Sequence, residues 1–181
     1  MVRTAASLLL LAALAACDST NLPKVSGNDG AVRFDFSGAK SGAFTARGDG
    51  VTRASAEWAV GDRSRGWITV NAVRATGGSR QDVFSFDFPE QAAPYIIRFD
   101  RSQCAPQAPC SGGIVVLGMD PASDTSGPGE DYLFSKGEIH VTSLAGGRVR
   151  GTFSGTAPAD PGTGALQIVD GSFDVPLVAG N

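Results

Sequence analysis

Phenylalanine occupies every second position from Phe84 to Phe88, with Ser85 and Asp87 between. Side chains of an extended strand alternate between two faces, so this spacing puts three rings on one side and two polar groups on the other. A helix would scatter the same rings around its circumference. Three stacked phenylalanines must be covered by a second layer, which commits this part of the chain to a sheet packed on a core.

The same period of two runs through most of the chain. Val32, Phe34 and Phe36 alternate with Arg33 and Asp35, and further alternating segments cover 43–47, 54–60, 66–75 and 95–100. Residues 113–118 form a short apolar run, Ile114-Val115-Val116-Leu117, which reads as a strand buried on both faces. The longest break runs from Asp120 to Asp131. Segments 138–144 and 148–156 flank Ala145-Gly146-Gly147, a compact hairpin turn. In 166–177, Ile168 has the opposite parity to Phe173, Val175 and Leu177. A bulge at Gly171 brings all four to one face. No stretch after residue 30 has a helical period of useful length. The expected fold is therefore all-β, an antiparallel β-sandwich or β-barrel of about nine to ten strands. With 24 Gly, and Phe outnumbering Tyr and Trp together, the composition agrees. The net charge is −3, the signs alternate along the chain, and there is no basic block. Nucleic acid is therefore not an expected partner.

The first residues have a different character. Arg3 precedes an apolar run, Ala5 to Ala16, interrupted only by Ser7. It is short of the roughly 20 apolar residues that span a bilayer, but it suits a secretory signal. Its ending, Leu14-Ala15-Ala16-Cys17, resembles the bacterial lipobox. The resemblance implies cleavage before Cys17, a diacylglyceryl thioether on its sulfur, and a third acyl chain, such as palmitate, on the new amine. One acyl chain binds a membrane only marginally and two suffice, so three would hold the protein by lipid alone. Residues 1–16 then form the cleaved signal peptide, 17–30 the lipidated cysteine and a polar tether, and 31–181 a single β domain. Asp18 resembles the enteric signal for retention in the inner membrane. The expected location is the bacterial cell envelope, lipid-anchored, with the outer membrane favoured over the inner.

Assigning Cys17 to lipid leaves Cys104 and Cys110. In an exported protein such a pair bridges. The spacing is wider than a C-x-x-C redox or zinc motif, so the bridge reads as structural, pinning one loop.

The C-terminal third carries a second resemblance. Gly137-Glu138-Ile139-His140-Val141-Thr142, Gly147 through Gly155 with its Gly-Thr-Phe, and Asp170-Gly171-Ser172-Phe173 are similar to small bacterial envelope lipoproteins grouped under a domain of unknown function. The resemblance implies a lipoprotein β domain and supplies no catalytic residue.

Little else in the chain points to chemistry. His140 is the only histidine and, between Ile139 and Val141, it shares a polar face with Thr142. A Ser-His-Asp site would want a nucleophile elbow of the Gly-x-Ser-x-Gly type, and the sequence has none. Asp120, Asp124, Glu130 and Asp131 are the best group for a hard cation such as calcium, but their spacing matches no EF-hand. Trp58 and Trp67 could form a platform for a sugar, although core packing is the simpler use of both. Asp35, Asp87, Asp100 and Asp174 alternate with apolar residues and read as outward. Arg63/Arg65 and Arg148/Arg150 read as solvating hairpin ends. No cofactor, metal site or catalytic set is expected. The leading reading is a non-enzymatic binding or structural domain, partnered with the bilayer through Cys17 and with an unidentified protein, glycan or small apolar ligand. The alternative is a calycin-like carrier with an apolar lumen, and a hydrolase ranks last.

Overall fold

The structure is a computed structural model and describes residues 27–105, 108–121, 129–162 and 164–179. Cys17 and the signal and most of the tether expected around it lie outside the described residues. Among the described residues there is no α-helix, one 3-10 turn (Arg101–Gln103) and eleven strands: β1 (Asp29–Gly38), β2 (Gly42–Asp49), β3 (Trp58–Ser64), β4 (Trp67–Gly77), β5 (Arg80–Pro89), β6 (Tyr95–Asp100), β7 (Gly112–Met119), β8 (Glu130–Phe134), β9 (Lys136–Ala145), β10 (Arg148–Pro158) and β11 (Ala165–Ala179).

Two layers share β11. In the first, the order is β6-β9-β10-β11-β1-β2 and every pair is antiparallel. In the second, β3-β4-β5-β7-β8 is also antiparallel and joins the first through β11, whose last residues 177–179 run parallel to 61–63. That pairing is the one departure from the antiparallel fold expected. β3 crosses the ends of the first layer: Gly30 approaches the Ala59 carbonyl, while Gly61 meets Val149, Val175 and Leu177. On the far side, β8 passes through Ser135 straight into β9. The Ser135 amide donates to the Thr156 carbonyl at 3.2 Å, and Tyr132 bridges to Ala159. Strand β8 is the extra strand, hidden at the end of what reads as a long break. Its alternating Tyr132 and Phe134 are both buried.

All ten phenylalanines lie in the core. Phe84 and Phe86 each pack against Phe153 with ring centroids 5.1 Å apart, Phe34 stacks on Phe44 at 4.9 Å, and Phe173 meets Phe86 edge-on at 5.5 Å. These spacings are those of aromatic rings in direct contact. Among the described residues these rings pack the interior between the layers.

Several local expectations are corrected. Val115 and Leu117 enter the core, but Ile114 and Val116 face outward and are half-buried, because β7 has a neighbouring layer on one side only. Neither tryptophan belongs to the core. Trp58 pairs with Val73 and Trp67 with Ser64, at opposite ends of one hairpin, so they form no platform. Segment 54–60 becomes strand only from Trp58. Arg148 and Asp174 are buried instead of outward, at 7% and 6% exposure.

Candidate functional site

Strand β11 carries a register irregularity against both of its antiparallel neighbours. The register with β10 and with β1 slips so that residues 169–171 accommodate an extra residue. This restores Ile168, Phe173 and Val175 to the core, as the parity of the sequence requires. The left-handed residue is Asp170 (φ 51), whereas Gly171 is needed for space. A Cβ on Gly171 would sit 2.5 Å from the Phe153 carbonyl oxygen and 2.7 Å from its ring.

The bulge dents the outer face of the first layer into a groove of about 470 Å³. Four strands line it. β9 supplies Glu138 and His140, β10 supplies Thr152 and Ser154, β11 supplies Asp170 and Ser172, and β1 supplies Arg33. Strand register sets their order: His140 pairs with Thr152, Thr152 with Ser172, and Ser172 with Arg33. Ser154 lies opposite the bulge and beside Glu138. Adjacent strands are about 4.8 Å apart, so the backbone of His140 is roughly 14 Å from that of Arg33.

Charge within the groove is balanced. His140 Nε2 donates to Glu138 Oε1, and Arg98 on β6 pairs with Oε2 of the same carboxylate. The imidazole hydrogen bond, aided by Arg98, holds the Glu138 carboxyl below its ordinary range. Ile96, opposite His140 on β6, and Val169, beside the bulge, are 52% and 46% exposed. Both lie outside the lining of the groove itself.

Other residues singled out in the sequence lie elsewhere. Cys104 and Cys110 are joined in a disulfide, Cα atoms 6.2 Å apart, just after the 3-10 turn capped by Asp100. Of the acidic group, Asp124 lies outside the described residues, and Glu130 is taken by Lys40 Nζ at 2.6 Å and the Tyr132 hydroxyl at 2.7 Å. No cluster of three or more His, Cys, Asp or Glu suited to a metal ion occurs among the described residues. Asp87 is half-buried, and desolvation raises its carboxyl above the usual range against the opposing pull of Arg101. A more open hollow of about 650 Å³ lies between 90–93 and 142–145, but its charged pair, Arg63 and Glu90, closes on itself at 2.9 Å. The 470 Å³ groove is the better site because Arg33 and Asp170 both line it and neither is closed off in an ion pair like that of Arg63 and Glu90.

His140 stands on the outer face with Thr142, as alternation places it. The groove as a unit was missed, because its seven polar residues come from four separate stretches of sequence. The one signal that leads to it is the broken parity at Gly171. No protein-family model, curated protein or solved structure matches this chain.

Proposed function

We propose that this protein is an acylated lipoprotein of the bacterial envelope, and that its β domain is a non-enzymatic binding module working through the groove around Asp170. The lipobox-like Leu14-Ala15-Ala16-Cys17 supports the address. The observation that carries the binding role is the pairing of a phenylalanine-packed interior with a dented polar exterior. A carrier of apolar ligands needs a lumen, and here phenylalanine fills that space. The groove instead offers donors and acceptors to a ligand approaching from outside. A hydrolase is not favoured, since the contact His140 makes is to a carboxylate and not to a nucleophile. The non-enzymatic reading therefore stands as the proposal.

Two measurements test it. Cys17→Ser removes the sulfur that lipid would occupy, so the variant should leave the membrane fraction while keeping its fold. Unchanged membrane partition would remove the lipoprotein half of the reading. For the groove, Ser172→Trp would fill the dent from a position facing outward. Ligand retention by that variant would remove the binding half.

A further inference from the structure

The proposed binding role leaves the ligand's chemistry open, and the groove's lining narrows it. Glu138 is already neutralised by Arg98 and engaged by His140. The charges that remain, Arg33 and Asp170, are opposite in sign and stand on the neighbouring strands β1 and β11. An anion drawn to Arg33 meets Asp170, and a cation drawn to Asp170 meets Arg33, so neither is selected. A neutral ligand with neighbouring hydroxyls can use both groups at once. Each hydroxyl donates to a carboxylate and accepts from a guanidinium, and Thr152, Ser154 and Ser172 can do either.

From this balance we infer that the groove is a site for an uncharged oligosaccharide. The inference rests on the reading of the groove as the domain's binding surface. The volume, about 470 Å³, falls within the range of small-molecule pockets. Asp170 is held at φ 51, a conformation that strains most side chains, and this aims a carboxylate at the dent it creates. The lining has no exposed aromatic ring to stack on a sugar, so affinity is weak, with Kd on the order of 1 mM.

His140 is the only histidine in the chain and sits in the groove, so its ring resonances report occupancy at a single place. The test is an NMR titration of the full-length protein at fixed pH with maltotriose, cellotriose and chitotriose, and separately with inorganic phosphate and acetate. The expected result is a saturable shift of the His140 ring signals with at least one trisaccharide, unaffected by high salt. Arg33→Met and Asp170→Asn should each weaken it about tenfold, the loss typical of one hydrogen bond to a charged group. Asparagine tolerates the left-handed backbone, so the second variant keeps the bulge. A saturable shift with phosphate or acetate alone would overturn the saccharide assignment and leave the binding role standing. No saturable shift with any probe would overturn both.

Discussion

Arg148 and Asp174 form a buried ion pair in which Nε donates to Oδ1 at 2.7 Å, each side chain being only 9% exposed. The same guanidinium donates to the Gly27 and Asp29 carbonyls at 3.0 and 2.9 Å and to the Asp174 carbonyl at 3.1 Å. One side chain from β10 therefore fastens the entry of β1 to β11. Arg150 takes the second oxygen of Asp174 at 3.0 Å.

Removing Arg148 leaves Asp174 only the Arg150 contact and takes the donor from the Gly27 and Asp29 carbonyls. Arg148→Met should therefore cost about 2 kcal/mol in urea or guanidinium unfolding. Arg148→Lys should recover little of it, because one ammonium cannot reproduce the planar set of four hydrogen bonds. Wild-type stability in the lysine variant would refute this account of the clamp.

Tyr132 is 2% exposed and donates to Glu130 Oε2 at 2.7 Å. Burial, with the adjacent carboxylate, pushes its hydroxyl up to about 12 from 10. The folded state thus holds the proton more tightly than the unfolded chain does. The stabilisation is fully present below pH 10 and is lost as pH rises from 10 through 12, amounting to about 2 kcal/mol. Burial raises Tyr95, the other tyrosine, as well. A spectrophotometric titration should accordingly show no ordinary tyrosine in the folded protein, and Tyr132→Phe should flatten most of the alkaline loss of stability.

The bulge makes opposite demands on neighbouring residues. Asp170→Gly relieves a positive φ and should leave stability unchanged or raise it by up to about 1 kcal/mol. Gly171→Ala drives a methyl into Phe153 and should cost about 2 kcal/mol. Thermal melts of the two variants side by side check the contrast. A destabilised Asp170→Gly would mean that the aspartate's side chain, and not only its backbone, supports the fold.

Loss of the disulfide should be mild and local. The Cys104–Cys110 bridge closes a seven-residue ring, for which chain entropy gives about 2 kcal/mol. Replacing both cysteines with serine should lower the midpoint of unfolding without altering hydrogen-exchange protection in the Phe84–Phe88 strand.

Strand identity was largely legible in the sequence, because a half-buried strand writes its two faces as alternate residues. Phe84, Phe86 and Phe88 are all fully buried, as the alternation requires. β8 escaped because its alternation is only five residues long and follows a stretch rich in proline and glycine. Alternation also cannot say what covers an outward residue. Val116 and Ile114 therefore read as buried, and Arg148 as solvated. The parallel contact of 177–179 with 61–63 is a pairing across more than a hundred residues, and no local pattern encodes it. The groove was invisible for the same reason, since register across four strands assembled it.

The clamp at Arg148 also has a mechanical meaning. β1 is paired on both sides, with β11 and β2, and the chain preceding it enters beside that guanidinium. Tension applied through the N-terminal segment would load an interior strand along its length, so the hydrogen bonds on both flanks share the load and do not unzip one by one. Resistance to such a pull is governed by the unfolding rate and not by equilibrium stability. If residues 17–30 act as the lipid tether proposed above, a domain held in this way can be tugged through them while the face that carries Asp170 keeps its shape.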